Sequence, residues 1–350
     1  MNNTFRNLRA TYQLFMVVLL VSAANAQTNS FDVARYDARI EPDMATKSVK
    51  GRLLVEFKSL VNGLAEIRLN AGALNIDGVR DGKSPLKSEW KDGLLHISLT
   101  RPAKLNEKRR IEIEYHGTPR RGINFFPEQQ QIYTLFSTSQ WMPCVDSPSD
   151  RATFRLNLIL PKDFKVTANG RFVKQSDLPD NKISSRWEQK NAVPTYIFGF
   201  AAGNFREVRQ RHGDIQLRFM ASPQFSENEL RRMFRDTADM VDFYESKAGV
   251  KYPDKTYTQV LAAGGVEQEM SSFTALREDY GRGILKNEKD IWLGAHELAH
   301  QWWGNMVTNR AWTHFWLNEG IATFMTAAYK RTSFRSRRVF GGNREIARSL

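Results

Sequence analysis

The chain carries the stretch His296-Glu297-Leu298-Ala299-His300 within a run of helix-forming and large apolar residues whose expected stop is Gly304. Residues four apart lie on one face of a helix, so His296 and His300 can direct two imidazoles at one point. Zinc prefers four ligands, and a catalytic site keeps one position for water, so two histidines need one further protein ligand. Glu319 follows after 18 intervening residues, enough chain for a loop and a second helix that returns a carboxylate. We therefore predict a zinc site formed by His296, His300 and Glu319.

Glu297 is the candidate catalytic base. It projects about 100° around the helix from His296, which leaves its carboxylate free to accept a proton. Zinc lowers the pKa of a bound water from about 15.7 to about 7, and a nearby carboxylate completes the activation. The alternative is a pair of ordinary core or surface histidines, but the full spacing with Glu319 is rare by chance.

Residues 1–26 have the pattern of a secretory signal peptide. Arg6 and Arg9 precede an apolar run over 14–21, and Ala24-Asn25-Ala26 is a small-x-small cleavage site. The apolar run is shorter than the roughly 20 residues of a spanning helix, although a signal anchor is the alternative. We expect an exported chain, periplasmic or extracellular, without stable membrane insertion after cleavage.

Composition and net charge limit the kinds of fold and partner that the chain can have. The 350 residues are 41% hydrophobic, enough for two domains with cores. Cys144 is the single cysteine, so no intramolecular disulfide can form, and we predict a structural role for it. The net charge is +13, or 13 − 2 = +11 without the two arginines of residues 1–26. No nucleic-acid motif accompanies this charge, so we predict a solvated basic face and no nucleic-acid partner.

Residues 27–208 are predicted to form a β domain. Every second residue is apolar in the runs 53–57, 111–115 and 154–160. Turn pairs separate such runs, and Asp92-Gly93 and Asn169-Gly170 are placed for hairpins. Antiparallel sheets follow from these patterns.

Residues 209–350 are predicted to form a second domain, of α/β type. After a strand at 215–220, a capping box at Ser226 opens one helical segment that reaches 248. A strand at 257–262 then leads to Gly264-Gly265, and two glycines there let the backbone approach another group closely. Glu267 follows, although a Gly-Gly turn with an exposed glutamate is commonplace.

These motifs together resemble a known family. HELAHQWWGN at 296–305 and WLNEG at 316–320 are similar to the gluzincin aminopeptidases, peptidase family M1, and look like its leukotriene A4 hydrolase branch. Members carry Gly-x-Met-Glu-Asn at this distance ahead of HExxH, which here reads Gly264-Gly265-Val266-Glu267-Gln268. Residues 141–148 resemble the Pro-Cys-x-Asp-x-Pro signature of that family's β domain.

The resemblance implies an α+β fold, with an N-terminal saddle of antiparallel β-sheets and a thermolysin-like α/β catalytic domain. It implies that Zn²⁺ is the cofactor and that peptides with a free N-terminus are the partners. Glu267 would bind the substrate α-amine, while the backbone of Gly264 and Gly265 would pair with the peptide like an added strand.

The sequence departs from the family in three places. Val266 and Gln268 replace the family's Met and Asn. Thr134 stands where the family has a substrate-contacting Gln. The family's transition-state tyrosine and helical C-terminal domain have no counterpart before residue 350, and Tyr329 is too close to the zinc glutamate to be that tyrosine.

We therefore predict a zinc aminopeptidase, apparently truncated at its C-terminus. A thermolysin-like endopeptidase and a catalytically silent peptide-binding fragment are the alternatives. We expect residues 27–350 alone to bind zinc, to hydrolyse peptides poorly and to leave apolar surface of the catalytic domain uncovered. The sequence makes no prediction of oligomeric state.

Overall fold

The computed structural model describes residues 30–265 and 267–346, and their side chains as far as Ser333. The predicted signal peptide, residues 1–26, lies outside the described residues. Within them, no helix combines the length and the apolar character needed to cross a membrane.

The N-terminal half is built from strands. They are β1 (Phe31–Asp43), β2 (Ser48–Ser59), β3 (Leu64–Asn70), β4 (Asn75–Asp81), β5 (Ser84–Pro85), β6 (Ser88–Lys91), β7 (Leu94–Ala103), β8 (Lys108–Gly117), β9 (Ile123–Phe126), β10 (Gln131–Thr134), β11 (Arg151–Pro161), β12 (Lys165–Ala168), β13 (Arg171–Leu178), β14 (Lys182–Pro194) and β15 (Phe200–Gly203). Short 3-10 helices lie at Thr138–Gln140 and Thr195–Ile197.

These strands form three sheets. The largest has the order β13-β14-β11-β1-β2-β8-β4-β5, and the smaller ones are β12-β15-β10-β9 and β3-β7-β6. Every pairing is antiparallel except that of β1 with β11. The predicted antiparallel architecture is confirmed, and the parallel pair is an addition that the residue pattern does not indicate.

The alternation of apolar residues has the expected effect on burial. In β2, Leu53, Val55 and Phe57 are at most 1% exposed, whereas Arg52 points to solvent. Alternate side chains of a strand face opposite sides of the sheet, so this period of two places one apolar face on the core. Cys144 is also fully buried in this core, in agreement with a structural role.

One of the two predicted hairpins is wrong. Asp92-Gly93 does join the paired strands β6 and β7, with positive φ at both residues. Asn169-Gly170 instead joins β12 to β13, which belong to different sheets. The reason is tertiary: the buried Asn169 amide donates to the carbonyls of Ile197 and Ser271, at 2.8 and 2.9 Å, and so turns the chain out of its sheet.

The C-terminal half mixes strands and helices. Its elements are β16 (Arg206–His212), β17 (Ile215–Ala221), α1 (Glu227–Met233), α2 (Thr237–Ala248), β18 (Thr256–Ala262), β19 (Phe273–Arg277), α3 (Glu278–Lys286), α4 (Trp292–Ala299), a 3-10 helix at Trp312–His314 and α5 (Trp316–Ile346). The sheet has the order β16-β17-β18-β19, in which β17, β18 and β19 run parallel. A strand-rich N-terminal part followed by a part rich in helices confirms the predicted α+β class.

The helical segment predicted from Ser226 to residue 248 is interrupted. Its capping box is present, since the Ser226 hydroxyl accepts from the Glu229 N–H and the Glu229 carboxylate accepts from the Ser226 N–H. The helix stops after Met233, where Phe234 stacks on Phe219 with ring centroids 4.9 Å apart. Packing against β17 thus overrides the continuous apolar stripe of the sequence.

Candidate metal centre

Helix α4 positions the two histidines of the predicted site. It is anchored in the core by the Tyr244 hydroxyl, which donates to the Ala295 carbonyl at 2.8 Å. The helix ends at Ala299, and His300 is its C-cap with helical φ and ψ. His296 and His300 therefore still lie one turn apart on one face.

The expected continuation of this helix to Gly304 is wrong. The chain after His300 folds back, because Val307 N–H donates to the Trp302 carbonyl at 3.0 Å and Gly304 N–H donates to the Val307 carbonyl at 2.9 Å. Gly304 has φ +145, and a Cβ there would come within 3.0 Å of His300 Nδ1. A glycine at this position lets the loop close against the imidazole.

Helix α5 supplies the third predicted ligand. It begins at Trp316, and Glu319 lies in its first turn. The carboxylate returns to α4 as the spacing predicts. His296, His300 and Glu319 each place one potential ligand atom within 4.8 Å of the others.

The distances between these atoms fit a tetrahedral metal. His296 Nε2 and His300 Nε2 are 3.1 Å apart, and Glu319 Oε2 lies 3.3 and 3.6 Å from them, respectively. Two ligands at about 2.1 Å from one tetrahedral ion are separated by about 3.4 Å. The three observed separations bracket that value, so the donor set suits zinc by geometry and by chemistry.

Hydrogen bonding prepares His300 for this role. Its Nδ1 lies 3.0 Å from the Trp303 carbonyl, which can only accept, so Nδ1 carries the proton and Nε2 presents its lone pair to the centre. The side chain of His300 is 2% exposed, that of His296 14% and that of Glu319 44%. Glu319 is thus the ligand least held by its surroundings.

The surroundings of the centre are acidic. Burial alone would lower the pKa of His300, but neighbouring carboxylates, led by Glu269, outweigh burial and raise the pKa to about 9. Burial would raise the pKa of Glu319, but hydrogen bonds and charges of the two histidines outweigh it and lower the pKa well below its usual range. A divalent cation satisfies the same electrostatic demand.

Glu297 lies next to this centre as a buried carboxyl group. It is 6% exposed, and its Oε2 has no hydrogen-bond partner within the described part of the chain. Burial raises the pKa of Glu297 well above its usual range, and the charge of His300 offsets this only in part. A buried carboxyl beside a metal centre suits proton transfer.

The predicted substrate-binding segment follows β18. The β half holds it through Ala263, whose carbonyl accepts from the Tyr133 hydroxyl and whose N–H donates to Gln131 Oε1, both at 2.8 Å. Gly264 has φ +94, and a Cβ there would lie 3.0 Å from the Tyr133 hydroxyl, so this turn needs glycine. Gly265 has open space around it.

Glu267 lies beyond these glycines and is half-buried. Its Oε1 lies 3.0 Å from Nη1 of Arg277, at the end of β19. Burial raises the pKa of Glu267, while the charge of Arg277 lowers it. The candidate amine-binding carboxylate thus already has a cationic partner on the protein.

Two further predictions can be placed. Tyr329 is 1% exposed and its hydroxyl donates to Asp239 at 2.8 Å, which agrees with excluding it as the transition-state tyrosine. Thr134, at the family's glutamine position, uses its hydroxyl to accept from Phe200 N–H at 2.9 Å. It is thus engaged within the β half.

Apolar side chains lie exposed along the start of α5. Trp316 is 65% exposed, Ile321 40% and Phe324 69%. Single exposed apolar residues are normal, but here three lie within the first nine residues of one helix, close in sequence to Glu319.

Several residues near the centre were not predicted from the sequence. Glu269 is 3% exposed, its Oε1 lacks a hydrogen-bond partner among the described residues, and burial raises its pKa to about 7. Asn318 and Tyr196 form a contact across the two halves. The two glutamates of Glu267-Gln268-Glu269 are close together in sequence and could have indicated the negative charge near the centre. Tyr196 is distant in sequence from the other site residues, and no motif pointed to it.

Models of two protein domains match the chain. The Peptidase M1 N-terminal domain matches residues 33–197, and the Peptidase family M1 domain matches residues 233–343. A leucine aminopeptidase 2 of Coccidioides immitis is 28% identical, covering 85% of this chain and 50% of that protein. Tricorn protease-interacting factor F2 of Thermoplasma acidophilum is 24% identical, covering 84% and 38%. The chain thus spans half or less of the length of these curated relatives.

Solved structures are similar in fold. An M1 zinc metallopeptidase from Deinococcus radiodurans has a TM-score of 0.72 at 23% identity, covering 87% of this chain and 71% of that one. A mutant form bound to a Tyr-Ser-Ala substrate has a TM-score of 0.76 at 23% identity, covering 87% and 72%. At this identity the likeness supports the fold.

Proposed function

Because this chain belongs to peptidase family M1, we infer that it is a zinc-dependent aminopeptidase, in which His296, His300 and Glu319 hold the metal. The observation that carries this inference is the convergence of three donor atoms at 3.1, 3.3 and 3.6 Å. Two ordinary core histidines would not be expected to contact one carboxylate with their donor atoms at the separations of a tetrahedral metal site.

The chemistry follows from the groups around the donors. When bound, zinc lowers the pKa of a water to about 7 and polarises a carbonyl group. Glu297 accepts the proton of the attacking water and returns it to the leaving amine, a role for which its buried, unpartnered Oε2 is suited. Peptide bond cleavage then yields a free amino acid and a shortened peptide.

Selection of the first residue is assigned to Glu267. Its half-buried carboxylate can pair with the substrate α-ammonium, and the open backbone at Gly265 can lie along the peptide. Blocked peptides would leave this carboxylate without its ligand, and that disfavours them. When no substrate is bound, the Arg277 guanidinium pairs with Glu267 where the substrate ammonium would bind.

That same ion pair favours one alternative. If Arg277 stays paired with Glu267 during catalysis, Glu267 cannot bind the substrate α-amine. The groove would then accept internal peptide segments, as in a thermolysin-like endopeptidase. The two functions differ in their response to an acetylated N-terminus.

The test compares leucine p-nitroanilide with its N-acetyl form. We expect the chain to cleave the free form, at the low rate predicted for residues 27–350 alone, and to leave the acetylated form intact. Glu297→Gln should lower kcat at least about 10²-fold while the zinc content stays at one ion per chain. Equal rates on both substrates would refute recognition of the free amine and favour the endopeptidase. No turnover by a zinc-loaded chain that still binds peptide would favour a silent binding fragment.

We extend the proposal to location: the chain acts outside the cytoplasm after removal of residues 1–26, on the basis of Arg6, Arg9 and the cleavage site at Ala26. Mass spectrometry of the cell-envelope form should show an N-terminus at Gln27. A cytoplasmic protein that keeps Met1 would contradict export.

A further inference from the structure

Tyr196 belongs to the β half, but its side chain lies against the approach to α5 in the other half. It is 2% exposed. Its ring makes edge contacts with Trp312 and Phe315, with centroids 5.2 and 5.8 Å away. Its hydroxyl accepts a hydrogen bond from Asn318 Nδ2 at 3.2 Å.

Asn318 is held at both ends of its amide. While Nδ2 donates to Tyr196, Oδ1 accepts from the Asn309 N–H at 3.2 Å. The side chain is 3% exposed, so water does not replace these partners. A buried amide with both ends paired has one orientation, and it fixes the backbone of the residue next to it, Glu319.

Glu319 needs such support more than His300 does. His300 is oriented by its own hydrogen bond to Trp303, and it is almost fully buried. The Glu319 side chain is 44% exposed, and the residue lies in the first turn of a helix, where backbone positions are least constrained. A ligand of this kind is oriented through its neighbours, and such outer partners usually matter for metal affinity.

Tyr196 also reaches the second functional segment. Its backbone carbonyl accepts from Gln268 Nε2 at 2.9 Å, and Gln268 adjoins Glu267. One residue of the β half therefore contacts the neighbour of the metal ligand and the neighbour of the candidate amine-binding carboxylate.

We propose that Tyr196 is a positioning residue: through Asn318 it holds Glu319 in the geometry that binds zinc, so that the β half is part of the metal site. This rests on the proposed function only in taking zinc as the metal. The simpler reading is that Tyr196 packs the two halves together and that its hydroxyl is incidental.

Tyr196→Phe separates these readings, because it keeps the ring contacts and removes only the hydroxyl. The matched control is Tyr36→Phe. Tyr36 is also buried in the β half, and its hydroxyl also accepts one N–H, that of Val145, at 2.9 Å. The two variants lose the same type of hydrogen bond at different distances from the site.

The measurements are zinc affinity of the whole chain, by chelator competition, and the visible spectrum after Co²⁺ substitution, which reports ligand geometry. Tyr196→Phe should weaken zinc binding about tenfold and alter the Co²⁺ spectrum. Asn318→Leu should do the same, and the double variant should weaken binding little further. Tyr36→Phe should leave affinity within about twofold and the spectrum unchanged.

Three results would overturn the proposal. Tyr196→Phe with wild-type affinity and spectrum would show that the hydroxyl does not position Glu319. Equal weakening by Tyr36→Phe would show a general loss of stability instead. A wild-type chain that binds no zinc would overturn this proposal and the proposed function together, whereas the first two results would leave the proposed function standing.

Discussion

Replacing Glu319 by Gln tests the metal centre most directly. The change keeps the length of the side chain and its place in the first turn of α5 but removes the charge. Glu319 Oε2 lies 3.3 Å from His296 Nε2 and 3.6 Å from His300 Nε2, so the variant loses one of three protein donors. A neutral amide is a poor zinc ligand.

The magnitude follows from the donor count. Four-ligand zinc sites in peptides bind with about 10–16 kcal/mol, which is about 2.5–4 kcal/mol for each ligand. Loss of one ligand should therefore raise the dissociation constant of zinc by a factor of about 10²–10³. The Glu319 side chain is 44% exposed, so water can take its place and the loss should lie near 10².

The assay is competition with a chromophoric zinc chelator. The control is Glu278→Gln, because Glu278 also lies in the first turn of a helix, α3, where it pairs with Arg282 at 2.9 Å. It should bind zinc like the wild type. A Glu319→Gln chain within about threefold of wild-type affinity would refute the assignment of this carboxylate as a ligand.

Three further predictions concern charges around the site and between the halves. Arg277→Gln removes the cation that competes with the substrate amine for Glu267, so the KM for leucine p-nitroanilide should fall about three- to tenfold. A rise in KM would show that Arg277 binds substrate. Arg151→Met removes a partly buried guanidinium that donates to the Asn305 carbonyl at 2.9 Å, so the free energy of unfolding in urea should fall by about 2 kcal/mol. An unchanged midpoint would contradict this. Burial raises the pKa of Asp150 to about 7, so its contribution to stability is present at low pH and is lost as pH rises to about 7. Asp150→Asn should therefore be more stable than wild type at pH 8, by about 4 kcal/mol for a pKa raised from 3.8 to about 7, with the advantage gone at pH 4. A less stable variant at pH 8 would contradict the sign.

Sequence and structure agree most closely where a pattern is local. The period of two along β2 and the four-residue spacing of His296 and His300 both depend on short-range geometry, so they can be read without knowing the fold. The return of Glu319 needed tertiary contact, and it was predictable because a known motif records its spacing. The lengths of helices were less predictable: α4 stops early because a loop folds back on His300, and the segment after Ser226 breaks because Phe234 packs on β17.

The amino-acid sequence by itself determined the donor set of the metal centre, the β character of the N-terminal half and the class of chemistry. The tertiary structure alone decided that Glu269 is buried near His300, that Arg277 pairs with Glu267 and that the Tyr196 hydroxyl accepts a hydrogen bond from Asn318, next to Glu319. These facts depend on which distant side chains meet and on how far water is excluded from them. Burial and pairing are properties of the packed chain, and no local pattern carries them.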